Sequence, residues 1–474
     1  MNSKREVKRK SGSVFKVIEA FVYLIIVNIS YIAIMQFDHT NKYQQINIQA
    51  YEEVWFYITI GAITIFLFNG MFSTLKLSKT ESILVVLTST LMIVLVTTAL
   101  AFIVRSFALP RTVIFYGFVI QTVLISIVKI VIKTIYDKTK KIKNVAIYCE
   151  MDRAKEYIVK ILGNDRNLKE RLIFVSDQEV FDLKYIENVD KVYICSDEKN
   201  SLEKHMNEFI LRGIEICVIP KSYELALTNS NLYLKSNIPM LKIDKLSISE
   251  EYKFVKRFID IILSSIAIFV LSPFMIFAAI LIYATDGGKP IFKQKRVTLN
   301  NKVFTVYKFR TMVINAEKST GAVWAAKGDP RITKTGAFLR KYWLDELPQL
   351  FNILKGDMSI VGPRPERPEL VEEFVKDCPD FKFRTYVKCG LTGYAQVMAE
   401  YDTIPQNKLK YDLYYILNTN LFMDLNIILL TIRRMVLKFI GHKNEILSYE
   451  MLLENWKMVE IINSSNIKFY SYKK

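Results

Sequence analysis

Residues 258–284 read FIDIILSSIAIFVLSPFMIFAAILIYA, and the architecture of the chain turns on how this stretch meets a membrane. It is apolar and longer than the roughly 20 residues that cross a bilayer core, yet Ser272-Pro273 stands at its middle. Proline removes one helical hydrogen bond and crowds the preceding turn, so a helix here kinks or breaks. A spanning helix requires its flanks to face opposite sides. Lys253, Lys256 and Arg257 lie before the stretch, and Lys293, Lys295, Arg296, Lys302, Lys308 and Arg310 lie after it. Basic flanks mark the cytoplasmic side of a membrane. Both flanks therefore read as cytoplasmic, and a re-entrant helix–break–helix hairpin satisfies them; a kinked spanning helix is the competing reading.

Four further apolar segments precede it, at 17–35, 54–72, 83–104 and 113–132, each about one membrane span long. The N-terminus carries Lys4, Arg5, Lys8, Arg9 and Lys10, the second loop Lys76 and Lys79, and the exit Lys138, Lys140, Lys141 and Lys143. The loop 36–52 has Lys42 alone, and Arg105 and Arg111 in the third loop pull the other way. The balance places both ends of this four-helix transmembrane bundle in the cytoplasm. With 51% hydrophobic residues, the 474-residue chain is not an ordinary soluble enzyme.

The net charge of +18 suits an anionic membrane face or phosphate-bearing substrates. No zinc-finger spacing or RNA-binding aromatic signature accompanies it, which argues against nucleic acid as a partner. Five scattered cysteines without a C-x-x-C read as reduced thiols, and none of the three histidines lies beside a motif, so a histidine metal site is not expected.

From 142 to about 244 short β-rich runs (145–148, 172–175, 192–195, 216–219) alternate with helical stretches (153–162, 201–212). That alternation predicts a small parallel, Rossmann-like α/β domain. A dinucleotide site needs a glycine-rich turn after the first strand, whereas Tyr148-Cys149-Glu150-Met151-Asp152 has none. A regulatory or spacer role is expected, and a nucleotide-sugar dehydratase or epimerase is disfavoured. Further on, 421–440 mixes apolar residues with Arg433, Arg434 and Lys438, a pattern open between an amphipathic surface helix and a core helix.

Between Lys308 and Gln396 the sequence turns dense in Arg, Asp, Glu, Gly and Pro. Asp345-Glu346-Leu347-Pro348-Gln349 follows a helical run containing Arg340 and Lys341. Adjacent carboxylates suit a site where one attacks phosphorus and the other helps hold a divalent cation, which neutralises the approach. Magnesium is the ion expected for oxygen-only ligands. Asp345 as a helix N-cap, with Pro348 in the first turn, is the plain alternative. Arg310 in Lys308-Phe309-Arg310-Thr311-Met312, Arg331 after Asp329-Pro330, and Arg364 in Val361-Gly362-Pro363-Arg364-Pro365 sit in turn-rich settings. Guanidinium forks match phosphate oxygens in two-point contacts.

These motifs, together with Lys256-Arg257-Phe258-Ile259-Asp260, Leu350-Phe351-Asn352 and Gly390-Leu391-Thr392-Gly393-Tyr394-Ala395-Gln396, resemble the bacterial sugar transferase family, the monotopic polyprenyl-phosphate sugar-1-phosphate transferases. The resemblance runs from about 250 to 441, and the four spans plus α/β domain resemble the family's long form. It implies that Asp345 is the nucleophile, forming an aspartyl-phosphosugar and releasing UMP before the lipid phosphate attacks. It implies that Glu346 binds Mg²⁺ or positions the site, with Asp345 and Glu346 as the metal pair. Arg310, Arg331 and Arg364 would hold phosphates or nucleotide, within a binding set that also includes Arg296, Lys308, Gln349 and Pro363. Lys256, Arg257 and Asp260 would fix the re-entrant helix and the lipid phosphate, with the helix break at Ser272-Pro273.

The expected organisation is a four-span domain at 1–140, the α/β domain at 141–248, an α-rich monotopic catalytic domain at 249–444 and an extension at 445–474. A UDP-sugar, polyprenyl (undecaprenyl) phosphate and the bilayer are the expected partners, at the cytoplasmic face of a bacterial inner membrane. A homo-oligomer and other polysaccharide-assembly proteins are compatible with the pattern. Two other functions stay open: a lipid glycosyltransferase, which would release UDP, and a non-catalytic membrane scaffold of a polysaccharide assembly complex.

Overall fold

The computed structural model describes residues 3–37, 44–72, 77–103, 110–139, 141–163, 170–177, 183–195, 202–235, 238–243, 248–314, 316, 329–399, 405–441, 448–464 and 467–472. Lys42, Lys76, Arg105 and Lys140 lie outside the described residues. The chain forms two compact units, Met1–Lys221 with Lys443–Lys474, and Ser222–His442.

The first unit opens with helices α1 (Ser3–Phe37), α2 (Gln44–Phe68), α3 (Lys79–Ile103) and α4 (Arg111–Thr139). Then come β1 (Lys143–Tyr148), α5 (Ala154–Leu162), β2 (Glu170–Ser176), β3 (Lys191–Ile194), α6 (Leu202–Arg212) and β4 (Glu215–Val218). The second unit begins with α7 (Ser222–Thr228), β5 (Asn231–Lys235), β6 (Ile238–Lys242) and the long α8 (Glu250–Asp286). It continues through β7 (Ile291–Val297), β8 (Val303–Phe309), α9 (Lys334–Lys341), α10 (Gln349–Lys355), β9 (Ser359–Val361) and α11 (Pro368–Asp377). It ends with β10 (Gly390–Thr392), α12 (Tyr394–Met398), α13 (Pro405–Asn418) and α14 (Leu421–Phe439), after which α15 (Tyr449–Asn455), β11 (Met458–Ser464) and β12 (Ile467–Tyr472) return to the first unit.

Helices α1 to α4 and α8 are the five, among the described residues, long and apolar enough to cross a membrane. α1 packs on α2 and α4, and α3 packs on α2 and α4, around a core that includes Tyr23, Tyr31, Ile58, Phe66 and Ile93. Phe21, Leu95 and Phe102 stay exposed, as suits helices facing lipid. α3 starts on a reciprocal cap: Glu81 Oε2 accepts from Ser78 N–H and Ser78 Oγ from Glu81 N–H. α2 starts ten residues before the expected segment at 54, because polar Gln44–Glu53 is helical too, and it ends ahead of Gly70 at φ 65°.

Strands β1 to β4 are parallel in the order β2-β1-β3-β4. The stretch 445–474, read from sequence as a separate extension, is part of this sheet. β12 pairs antiparallel with β2, β11 pairs with β12, and Tyr449, Leu452 and Trp456 join the core of β1 and α5. Leu172 N–H donates to Tyr472 Oη across 300 residues, a pairing that no local pattern announces. Residues 222–228, placed by sequence in the α/β domain, pack instead on α13, with Asn229 Nδ2 donating to the Leu417 carbonyl at 2.7 Å.

The second unit is organised by α8. The expected break at Ser272-Pro273 does not end the helix, which runs unbroken from Glu250 to Asp286 with Pro273 inside. The physical reason lies one residue away. Pro273 cannot donate to the Phe269 carbonyl four residues back, and Ser272 Oγ donates to that carbonyl instead, at 2.8 Å. Both halves of α8 pack on the same unit. Ala267, Ile268 and Leu271 meet Phe304, Val306, Leu350 and Ile353, while Met275, Ala278 and Ile282 meet Phe309 and Leu339. The opposite face is apolar and open, with Phe254 77% and Phe269 82% exposed. α14 likewise leaves an apolar face open: Asp424, Ile427 and Arg433 are buried, while Phe422, Ile432, Met435 and Phe439 are exposed. A helix that keeps a continuous apolar face open is suited to a lipid surface.

Candidate active site

A hairpin, a turn and a pair of short parallel strands bring the charged motifs together. β7 and β8 pair antiparallel and carry Arg296 and Lys308. Asn352 on α10 fastens the hairpin from below: its Nδ2 donates to the Thr305 carbonyl at 2.8 Å and its Oδ1 accepts from Tyr307 N–H at 2.9 Å. β9 and β10 run parallel at glycine-only distance, since a Cβ on Gly362 would lie 2.3 Å from the Lys388 carbonyl and one on Gly393 2.1 Å from the Gly362 carbonyl. Pro363 then accepts from Gly390 N–H, and Arg364 follows it.

Between α9 and α10 the chain makes a tight turn. Trp343 takes φ 57°, unusual for a bulky residue, and Leu344–Glu346 form one 3₁₀ turn. Pro348 is the N-cap of α10 and supplies no side-chain cap, so the N-cap alternative for Asp345 is not what the structure has. The two acids are treated differently. Glu346 is buried, its Oε1 accepting from Lys308 Nζ at 3.0 Å and Arg364 Nη2 at 2.8 Å. Asp345 is half-buried and accepts no hydrogen bond among the described residues.

The electrostatics follow. Burial alone would raise the pKa of Glu346, but Arg364 and then Lys308 overcome it and hold the carboxylate well below its usual range. Glu346 in turn raises Arg364, against the effect of burial. Burial depresses Lys308, with Glu346 opposing, and brings Arg296 down to about 10. For Asp345, burial and then Glu346 push the pKa upward, against Lys308, Arg340 and Arg364. One permanently ionised carboxylate thus sits beside one free, more basic carboxylate.

The remaining expected residues divide into groups. Gln349 is buried in the first turn of α10, with Nε2 lacking an acceptor. Arg296 donates to Gln294 Oε1 and to the Pro365 carbonyl. Arg310 lies against Gly288, and Arg331 is gripped by Asp329 at 2.6 Å, so neither is part of the pair on Glu346. Lys256, Arg257 and Asp260 anchor α8. Lys256 pairs with Asp424, which also accepts from Tyr252 and Tyr415. Arg257 donates to the last carbonyls of α10, at Ile353 and Leu354, and Asp260 accepts from Ile360 N–H.

Sequence reasoning missed Arg384 and Asp412. The buried Arg384 donates through Nε to Asp412 at 2.6 Å and through Nη2 to the Arg364 carbonyl at 3.1 Å. It therefore holds the backbone of a site arginine from behind. Nothing at 384 distinguishes it in sequence from an ordinary surface arginine.

Residues 251–438 match the bacterial sugar transferase family, and the chain belongs to that family. A Bacillus subtilis protein provisionally named as an undecaprenyl-phosphate N-acetylgalactosaminyl 1-phosphate transferase is 50% identical over 133 residues, 28% of this chain and 74% of its own length. An Aeromonas hydrophila UDP-N-acetylgalactosamine-undecaprenyl-phosphate N-acetylgalactosaminephosphotransferase is 42% identical over 191 residues, 40% of this chain and 45% of its own. A Xanthomonas campestris UDP-glucose:undecaprenyl-phosphate glucose-1-phosphate transferase is 32% identical over 265 residues, 54% and 55% of the two chains. The chain thus spans about half the length of these last two relatives.

Proposed function

We propose that the protein transfers a sugar-1-phosphate from a UDP-sugar to polyprenyl phosphate, forming a polyprenyl-diphosphate-sugar and UMP as the first step of a surface polysaccharide. The observation that carries this is the division of labour between a free Asp345 and a clamped Glu346, on a unit whose outer helices offer apolar faces. The names of the relatives point to the same reaction. In the first half, an Asp345 Oδ attacks the phosphorus that bears the sugar, the pyrophosphate P–O bond breaks, and UMP leaves. In the second, an oxygen of the lipid phosphate attacks the same phosphorus and the bond to Asp345 breaks. No proton changes hands if the lipid phosphate reacts as its dianion.

Each half brings anions together, and the protein's cations answer that. Lys308 and Arg364 fix Glu346 and lie against the developing charge, while Arg384 keeps Arg364 in place. Magnesium fits the pair: Asp345 is free of hydrogen bonds among the described residues, and Glu346 Oε2 carries only a long 3.5 Å contact from Arg364. Among the described residues no three acidic, histidine or cysteine side chains converge, so substrate oxygens and water would complete the shell. Bound there, the ion would neutralise the diphosphate so that a carboxylate can approach.

The anchoring of both halves of α8 on one unit supports a helix that dips into one leaflet rather than crossing, and the packing of α1 to α4 on one another supports a spanning four-helix bundle. The site then lies at the cytoplasmic face of the inner membrane, at the depth of the acceptor's phosphate. The deciding experiment incubates the purified protein with undecaprenyl phosphate and UDP-glucose, UDP-galactose or UDP-N-acetylgalactosamine, identifying nucleotide and lipid by mass. UMP with a diphosphate-linked sugar supports the proposal. UDP would mean a glycosyltransferase, and no turnover with any sugar would favour a scaffold.

A further inference from the structure

Cations are abundant around the two acids, and most are already held. Lys308 and Arg364 bind Glu346, Arg296 donates to Gln294, and Arg340 donates through Nε to Thr311. Lys438 differs. It occupies the last turn of α14, and among the described residues neither a carboxylate nor a carbonyl takes its ammonium. Its Nζ rests 4.0 Å from the centroid of the Trp343 ring, a contact that holds a cation without neutralising it.

Trp343 stands two residues before Asp345, and its left-handed backbone is sustained only where the surroundings impose it. The turn that places the nucleophile therefore also places the seat of Lys438. Aromatic contacts tie the two elements together: Tyr342 packs on Phe439 with ring centres 5.4 Å apart, and Phe338 on Tyr342 at 5.2 Å. Burial lowers the pKa of Lys438, and the charge of Asp345 opposes that shift, so the ammonium and the nucleophile sense each other. Phe439 and Ile440, the next two residues, are 70% and 55% exposed, on the apolar side of α14. Lys438 thus marks the border between the lipid-facing surface and the catalytic turn.

We propose that Lys438, seated on Trp343, binds the phosphate of the lipid acceptor and serves the second half of the reaction. This rests on the transferase reading and adds the acceptor's subsite to it. In that step a phosphate monoester dianion must reach an aspartyl-phosphosugar that already carries one negative charge, next to the ionised Glu346. The products, a diphosphate diester with two negative charges and a free Asp345 carboxylate, carry the same total of three. An unneutralised cation on the membrane side of Asp345 meets the incoming dianion. The nucleotide half of the reaction, governed by Lys308 and Arg364, does not call on it.

The test separates the halves. UMP release in a single turnover is followed without acceptor, and steady-state transfer is followed against undecaprenyl phosphate in detergent micelles. In K438Q the UMP burst is expected to persist within about twofold, while the KM for undecaprenyl phosphate rises tenfold or more and the KM for the UDP-sugar stays put. K438R restores most of the acceptor affinity. A burst slowed in K438Q as much as overall transfer would assign Lys438 to positioning Asp345 and overturn the proposal, as would an unchanged acceptor KM. A wild-type protein that makes lipid-linked product without any UMP would overturn the transferase reading itself.

Discussion

The Ser272 hydroxyl offers a quantitative probe of where α8 resides. Pro273 leaves the Phe269 carbonyl without its helical donor, and Ser272 Oγ fills that place at 2.8 Å. In S272A the carbonyl is orphaned. Facing water it would simply be hydrated, and the change would cost a few tenths of a kcal/mol at most. Facing hydrocarbon, where no water competes, it costs about 1–3 kcal/mol, the penalty for an unmade hydrogen bond. Replacing Pro273 with Ala returns the N–H, so in the P273A background the loss of Ser272 should cost less than about 0.5 kcal/mol. The assay is a double-mutant cycle on reversible unfolding in mixed micelles, read by tryptophan fluorescence, with a coupling of about 1–2 kcal/mol expected. Equal costs in both backgrounds would refute the argument and remove the reason for placing this turn in lipid.

D345N should retain the fold but lose at least about 10³-fold in turnover and accumulate no phosphosugar adduct, checked by intact mass after mixing with UDP-sugar; the factor is the scale of losing a covalent nucleophile. R384A strips the support from the Arg364 backbone and leaves Asp412 buried without its partner, so the unfolding free energy in a denaturant titration should fall by about 3–5 kcal/mol; R384K should recover only part, since lysine cannot fork. N352A orphans Thr305 and Tyr307 and should destabilise by about 1–3 kcal/mol per group in a denaturant titration. Burial raises the Cys389 thiol to about 12. The reactive thiolate therefore forms only as pH climbs toward that value, and at pH 8 it is about one part in ten thousand. Peptide mapping after iodoacetamide should find Cys389 unlabelled in the folded protein and labelled in denaturant.

Local patterns made the apolar helices and the parallel strands legible, because hydropathy and period are properties of neighbouring residues. The strands β1 to β4 fall within two residues of the expected runs for that reason. What escaped depends on distant partners. Strands β11 and β12 acquire meaning only beside β2, and Asp424 reads as an ordinary N-terminal helix acid until Lys256, Tyr252 and Tyr415 surround it. The Ser272-Pro273 pair was visible, but its effect was not: proline's chemistry predicts a lost hydrogen bond, and the serine beside it supplies a replacement. At the site, the Asp-Glu pair and Arg364 stood out by motif, whereas the different states of Asp345 and Glu346 come from which one Lys308 reaches. Trp343 was unreadable, since a positive φ in a bulky residue is imposed by packing.

The last described strands lie against β2 and so enclose the whole of residues 222–442 as an insertion between two parts of one sheet. During synthesis β2 must wait, edge bare, until roughly three hundred further residues have emerged. An open strand edge invites the wrong partner. A stalled or prematurely stopped chain would thus carry a half-finished sheet prone to aggregate, and quality control would meet the error at the α/β domain.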